Sequence, residues 1–273
     1  MLGYLAAAAL CLAAVLLMRL DHLPLVDIPG LGYIFPQQCE LSEGRLMSKE
    51  ELSVYDGGPG SSGIYLAILG QVFDVHKGSK HYGPGGSYSF FAGKDASRAY
   101  MTGDFTEKGL VDDVTELSPL QMLHLHNWLS FYQQNYITIG KLTGRFYDES
   151  GNPTKALEDA LKVIDIGLKL KEEREEENKQ FPPCNSEWSS ESKRVWCSKN
   201  SGGIQRDWVG VPRKMYTAGT NGYRCVCVRN FGPPSEQPDS TEHNDRGDLD
   251  NPMLHEYEDC NPLFEWCFLK NGT

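Results

Sequence analysis

The chain predicts an α+β fold followed by a helical connector and a cysteine-rich, disulfide-bonded C-terminal region. Three observations carry this. Between residues 45 and 148, short helices with their own start signals alternate with short β-branched runs, the pattern of a mixed domain. A longer helical repeat begins after Asn152-Pro153-Thr154. Beyond it, Cys184, Cys197, Cys225, Cys227, Cys260 and Cys267 crowd into residues 183–273, an even number that suits disulfides in an oxidising compartment.

Taken in order, residues 1–20 read as a targeting segment. Leu2 to Met18 carries no charge and Arg19 ends the run, which fits a secretory signal peptide or, if it stays uncleaved, a membrane anchor. No Lys or Arg precedes the run, and no clear small-x-small cleavage site follows between Arg19 and Gly30. The expectation is a secreted, extracellular protein that touches membrane only through an uncleaved leader. Residues 21–44 form a Pro- and Gly-containing lead-in.

In 45–148, Ser48-Lys49-Glu50-Glu51 reads as a capping box that starts a helix at Lys49. Residues 63–75 read as two strands joined by a two-residue turn at Gly70-Gln71. Asp95-Ala96-Ser97-Arg98 reads as the start of another helix, with Asp95 as its cap. Ser118-Pro119-Leu120-Gln121 is a second capping box with Pro at the first helical position, opening a helix to about Gln134. Leu120, Leu123, Trp128 and Phe131 form its expected core-facing stripe. Residues 136–142 read as a strand and turn.

The connector, 149–182, shows an apolar face of Leu157, Ala160, Leu161, Ile164 and Leu168. It ends in a charged run, 171–179, read as a solvated helix end. In the last region, Cys225 and Cys227 share one face of a strand and should bond elsewhere rather than to each other. The sequence leaves the pairing open, and without a CxxC pair a zinc site ranks below disulfides. Cys39 is left over, as a free thiol or an intermolecular partner.

The formal net charge of −11 argues against nucleic acid, whose phosphates it would repel. There is no P-loop, nucleophile elbow or zinc-protease helix, so the reading is a binding protein rather than an enzyme. Arg246-Gly247-Asp248 is an RGD tripeptide of the kind an integrin meets, a short and weakly specific match. Asn271-Gly272-Thr273 is a glycosylation sequon at the end of the sequence.

Three ordered motifs carry a family resemblance: Gly70-x-Val72-Phe73-Asp74-Val75, Tyr82-Gly83-Pro84-x-Gly86 and Phe91-Ala92-Gly93-x-Asp95-Ala96-Ser97-Arg98. Residues 68–100 resemble the haem-binding core of the cytochrome b5-like fold, and most of all its membrane-associated progesterone receptor family. The resemblance extends over residues 45–148. Cytochrome b5 takes its first iron ligand from a His in a His-Pro-Gly-Gly turn. Here the turn is Gly83-Pro84-Gly85-Gly86, and the segment 98–105 that would supply the second His has none. A bis-histidine electron carrier is therefore not available at these positions.

The resemblance implies a non-covalent, b-type haem with Tyr88 as the axial iron ligand and Tyr82 and Tyr136 beside the ring. Where the family has Lys before the third tyrosine, this chain has Asn135, which removes a charge expected to meet a propionate. The chemistry is coherent: a phenol with a pKa near ~10 ionises at neutral pH only beside a Lewis acid, which ferric iron supplies. An anionic oxygen favours ferric over ferrous iron, which suits binding or sensing better than electron shuttling. Phe90, Phe91 and Tyr100 offer apolar surface. The plainer reading of each tyrosine is a core aromatic with a satisfied hydroxyl. His124 and His126, two apart on a helix, point to different sides and cannot share a metal; His81 is the first alternative ligand. The resemblance also implies an extracellular signal that promotes neuronal differentiation through a cell-surface receptor. Two other readings stand beside it: a haem-free module that binds a sterol-like ligand or a receptor, and a membrane-anchored electron-transfer partner.

Overall fold

The computed structural model describes residues 45–189, 192–216, 222–258 and 260–269. The leader, Cys39 and the Asn271 sequon lie outside them. The chain divides into two compact units at Gly167/Leu168, within one helix.

The first unit is built on a four-stranded sheet of β1 (Arg45–Met47), β2 (Tyr65–Ile68), β3 (Gln71–Asp74) and β4 (Ile137–Leu142), in the order β1-β4-β3-β2. β1 runs parallel to β4, and the other pairs are antiparallel. Helix α1 (Lys49–Ser53) starts where expected, with the Ser48 side chain accepting from the Glu51 N–H. Leu66, Ile68, Val72 and Phe73 are fully buried. An aromatic or aliphatic side chain of that size contributes roughly 1.5–3 kcal/mol by leaving water.

The β2–β3 turn sits one residue earlier than the sequence suggests. Gln71 is already in β3, paired with Ile68, and the turn residues are Leu69 and Gly70, with φ of 48° and 76°. Two positive φ values are what a tight hairpin of this hand requires. Leucine tolerates the left-handed conformation because tertiary bonds hold it. Its N–H donates to Ser97 Oγ at 2.8 Å, and the Gly70 N–H donates to Asp95 Oδ2 at 2.7 Å. This also corrects the role of Asp95. The helix that follows, α3 (Ala99–Thr102), begins later and has no side-chain cap. The buried Asp95 carboxylate instead accepts from Gly70 N–H, Ser97 N–H and Ser97 Oγ. Burial pushes its pKa up, against those hydrogen bonds.

Helix α4 (Pro119–Asn135) has the complete capping box, Ser118 with Gln121, and Pro at its start. Of its expected core face only Leu123 is buried. Met122, Leu123, Leu125, Leu129 and Tyr132 are buried, whereas Leu120, Trp128 and Phe131 are 46%, 42% and 40% exposed. The helix is apolar on two sides, and only one of them meets the core. Helix α5 (Lys155–Gln180) buries Leu157, Ala160, Ile164 and Gly167, with Leu161 and Leu168 partly covered. Its residues 171–176 are exposed, as a solvated helix surface should be.

The second unit has two three-stranded sheets. One contains β5 (Asn185–Trp188), β6 (Lys193–Trp196) and β10 (Trp266–Phe268), in the order β10-β6-β5; the other contains β7 (Val211–Tyr216), β8 (Tyr223–Val228) and β9 (Leu254–His255), in the order β8-β7-β9. Its core clusters are small: Phe181 with Val226 and Val228, and Val195 with Tyr257 and Cys267. Disulfides supplement them. Cys184 pairs with Cys225, Cys197 with Cys227, and Cys260 with Cys267, at Cα separations of 5.4, 5.6 and 5.5 Å. Cys225 and Cys227 lie on β8 and bond to different partners, as expected. With all six sulfurs paired, this cluster has no thiolate left for zinc.

Candidate functional site

The candidate site forms where the glycine-rich turn meets helix α4. Residues Ser79–Tyr82 form the short helix α2, and the chain then turns through Gly83-Pro84-Gly85-Gly86. A Cβ on Gly86 would collide with the His81 carbonyl, so only glycine lets the turn fold back here. That closeness allows the Tyr88 N–H to donate to His81 O at 2.9 Å. The result brings the Tyr88 ring to 6.3 Å from Tyr82. Gly78 plays a matching part: a Cβ there would lie 2.8 Å from the Tyr136 hydroxyl and 3.0 Å from the Tyr82 ring.

The three tyrosines singled out from sequence come together. Tyr136, the residue after α4, has its ring 6.1 Å from Tyr82. Two more join them. The Tyr82 and Tyr132 hydroxyls are 2.7 Å apart, and Tyr100 Oη donates to Tyr132 Oη at 3.1 Å. Tyr82 and Tyr132 are buried, and burial is the main cause that pushes the pKa of Tyr82, Tyr100 and Tyr132 well above the ordinary phenol value. At all three the shift favours the protonated phenol. Tyr88 differs: it is 48% exposed, and its hydroxyl makes no hydrogen bond among the described residues.

Aromatic rings continue from this cluster. Phe90 lies edge-on to Tyr88 at 6.4 Å and 4.3 Å from Phe105; Phe91 stacks on Tyr100 at 4.3 Å. Tyr100 and Phe131 then line a cavity of about 720 Å³, together with Met101, Leu120, His124 and Trp128. A volume of that order suits a small organic ligand. The exposed face of α4 thus lines this cavity, which borders the tyrosine cluster through Tyr100 and through Phe131, 6.1 Å from Tyr136; Tyr82, Tyr88 and Tyr136 are not among its lining residues.

Sequence reasoning missed Tyr132 and the cavity-lining face of α4. Tyr132 lies three and seven residues after the buried Leu129 and Leu125, so its place on the core stripe was a usable signal. Among the histidines, His124 lines the cavity, whereas His81 is exposed with its ring 6.4 Å from both Tyr82 and Tyr88. The RGD tripeptide is not presented as a ligand. Asp248 is only 5% exposed, and its carboxylate accepts from Ser235 N–H at 2.7 Å and Ser235 Oγ at 2.6 Å, while Arg246 pairs with Asp250.

Comparison with known proteins identifies the family and its domain. Residues 48–143 match the family described as "Cytochrome b5-like Heme/Steroid binding domain". Human neuferricin is 57% identical over 225 residues, 82% of this chain and 85% of its own length. Mouse neuferricin is 54% identical over 224 residues with the same coverage. Membrane-associated progesterone-binding protein 4 of Arabidopsis thaliana is 39% identical over 230 residues, 82% of this chain and 83% of its own. The chain belongs to the neuferricin family and carries a cytochrome b5-like haem/steroid-binding domain.

Proposed function

We propose that this protein binds ferric haem non-covalently, with the Tyr88 phenolate as axial iron ligand, and acts outside the cell. The observation that carries the reading is the contrast within the cluster. Tyr82, Tyr100 and Tyr132 form a hydroxyl chain in which Tyr82 and Tyr132 are buried, and Tyr88 stands beside them half-exposed, its hydroxyl making no hydrogen bond among the described residues. The residues fit the group: a flat aromatic ligand would find the Tyr82 and Phe90 rings 6.3 and 6.4 Å from Tyr88, and iron would find one accessible oxygen donor. Bound haem supplies a Lewis-acidic ferric centre, which stabilises an anionic oxygen ligand. The protein's own part is to present that oxygen, keep the neighbouring phenols protonated and cover the ring with apolar surface. This is a binding role, and the reading assigns no catalytic residue.

Three disulfides support folding in an oxidising compartment. With the uncharged leader, they motivate a secreted protein that acts through a cell-surface receptor, in the neuronal-differentiation role implied by the family resemblance. Mass spectrometry of the protein collected from culture medium tests this: the reading expects a chain beginning after the leader, and retention of the whole chain in membranes counts against it.

A second reading, a neutral steroid in the cavity beside the tyrosine cluster, draws on the apolar wall of Leu120, Trp128 and Phe131. Purification with haem supplied separates the two. The haem reading expects about one haem per chain and an intense Soret band that excess steroid does not displace. A protein that stays colourless and binds steroid supports the alternative.

A further inference from the structure

Four of the six paired cysteines stand together at the base of one hairpin. Cys184 immediately precedes β5, and Cys197 immediately follows β6. These strands are antiparallel and pair Asn185 with Trp196, so the next step sets Cys184 opposite Cys197. Cys184 has a second opposite neighbour. Pro183 bridges Val226 in antiparallel fashion, the Cys184 N–H donates to Cys225 O at 3.1 Å, and the Cys227 N–H donates to Pro182 O at 2.7 Å. Cys184 therefore meets Cys225 of β8 on one side and Cys197 of its own hairpin on the other. It is bonded to Cys225, and Cys197 is bonded to Cys227. The two disulfides abut: the sulfurs of Cys184, Cys197 and Cys227 all lie within 4.8 Å of one another.

The two bonds differ in access. Cys184 and Cys225 are partly buried, whereas Cys197 is 4% exposed and Cys227 is fully buried. A reductant in solution reaches the first bond more readily than the second. Thiol–disulfide exchange needs a thiolate within reach of a disulfide sulfur, and a Cys184 thiolate released from the first bond is already there. Geometry also ranks the products. Directly opposite residues on antiparallel strands have Cα atoms about 4.5–5.5 Å apart, inside the range that a disulfide spans. Cys225 and Cys227, two apart on one strand, are separated by about 6.7 Å, at the limit of that range.

We propose that the Cys184–Cys225 disulfide is a site of attack by a dithiol, and that Cys184 relays the opening to the buried bond beside it. One thiolate of the reductant attacks Cys225 Sγ. A mixed disulfide forms there, and Cys184 leaves as a thiolate. Cys184 attacks Cys197 Sγ, which forms a Cys184–Cys197 bond and releases the Cys227 thiolate. The second thiol of the reductant then attacks the mixed disulfide, frees Cys225 and leaves the reductant as its own disulfide. Two electrons and two protons pass from the reductant to Cys225 and Cys227. The β5–β6 hairpin keeps a cross-link at its own base and loses both bonds to β8, which gains a pair of thiols on one face.

The test is limited reduction of the folded, full-length protein with an equimolar amount of dithiothreitol. Exchange is stopped with acid, free thiols are alkylated with N-ethylmaleimide under mildly acidic conditions, and the tryptic digest is analysed by mass spectrometry without further reduction. Trypsin separates the partners: residues 180–193 carry Cys184, 195–199 carry Cys197, and 225–229 carry both Cys225 and Cys227. The relay expects a free 225–229 peptide with two labels, together with 180–193 joined to 195–199. Labels on Cys184 and Cys225 with the Cys197–Cys227 bond intact show reduction without exchange and overturn it. A bond between 180–193 and 225–229 with Cys197 labelled also overturns it, as do labels on all four cysteines at once or labels confined to Cys260 and Cys267.

Discussion

The two units of this chain solve the same problem by different means. The first buries large side chains such as Phe73, Phe146, Leu125 and Tyr132 around a four-stranded sheet. The second has two small sheets, thin apolar clusters and three disulfides. A unit with few core residues gains stability by restricting its unfolded state, and cross-links do that. The first unit has enough apolar residues to fill a core and still expose an aromatic wall. The contrast teaches where to look for a ligand: exposed aromatics matter most where the core is already complete.

The strongest way to break this comparison is reduction. A dithiol reductant should unfold the second unit, since removing native disulfides from a small domain costs about 2–5 kcal/mol each time. The first unit should stay folded. Hydrogen exchange resolved by peptide would show protection lost after residue 168 and kept before it. Loss in both, or in neither, would mean that the units do not differ as described.

A single side chain sharpens the account of the first unit. Asp95→Ala should destabilise it by about 2–4 kcal/mol, because it leaves the Gly70 and Ser97 N–H groups buried without acceptors. Urea denaturation would measure this. A change below about 0.5 kcal/mol, the size of an ordinary surface substitution, would mean that the hairpin holds without it.

The smallest of these effects concerns pH. Tyr82, Tyr100 and Tyr132 hold their protons more tightly in the folded state than a phenol in water, whose ordinary value is 10.0. Groups with a raised folded pKa stabilise the fold fully below the unfolded value and lose that contribution as pH rises beyond it. Stability of the first unit should therefore decline above pH 10, with tyrosinate absorbance from these residues appearing only on unfolding. Full ionisation while the protein remains folded would contradict the buried hydroxyl chain.

Much of the first unit was legible because its signals are local. Ser118, Pro119 and Gln121 specify the start of α4 within four residues, and the structure has that cap. The turn at Leu69-Gly70 was not legible, because it depends on Asp95 and Ser97, more than twenty residues away. The face of α4 was misassigned for a different reason. Leu120, Trp128 and Phe131 repeat with helical spacing, but so do Met122, Leu125, Leu129 and Tyr132. Periodicity identifies an apolar stripe without saying whether protein or ligand covers it. The disulfide pairing was legible only as far as keeping Cys225 and Cys227 from bonding to each other, since the partners are set by how β8 lies against its neighbours.

The central claim is that one accessible phenol oxygen, Tyr88 Oη, binds oxidised haem iron. The most direct test is the absorption and electron paramagnetic resonance of the ferric-haem complex in wild type and Tyr88→Phe, each checked for folding by circular dichroism. The account predicts a high-spin ferric signal with a phenolate-to-iron charge-transfer band in wild type, and loss of that band with sharply reduced haem retention in Tyr88→Phe. A folded Tyr88→Phe protein with the same spectrum and the same haem content as wild type would contradict it.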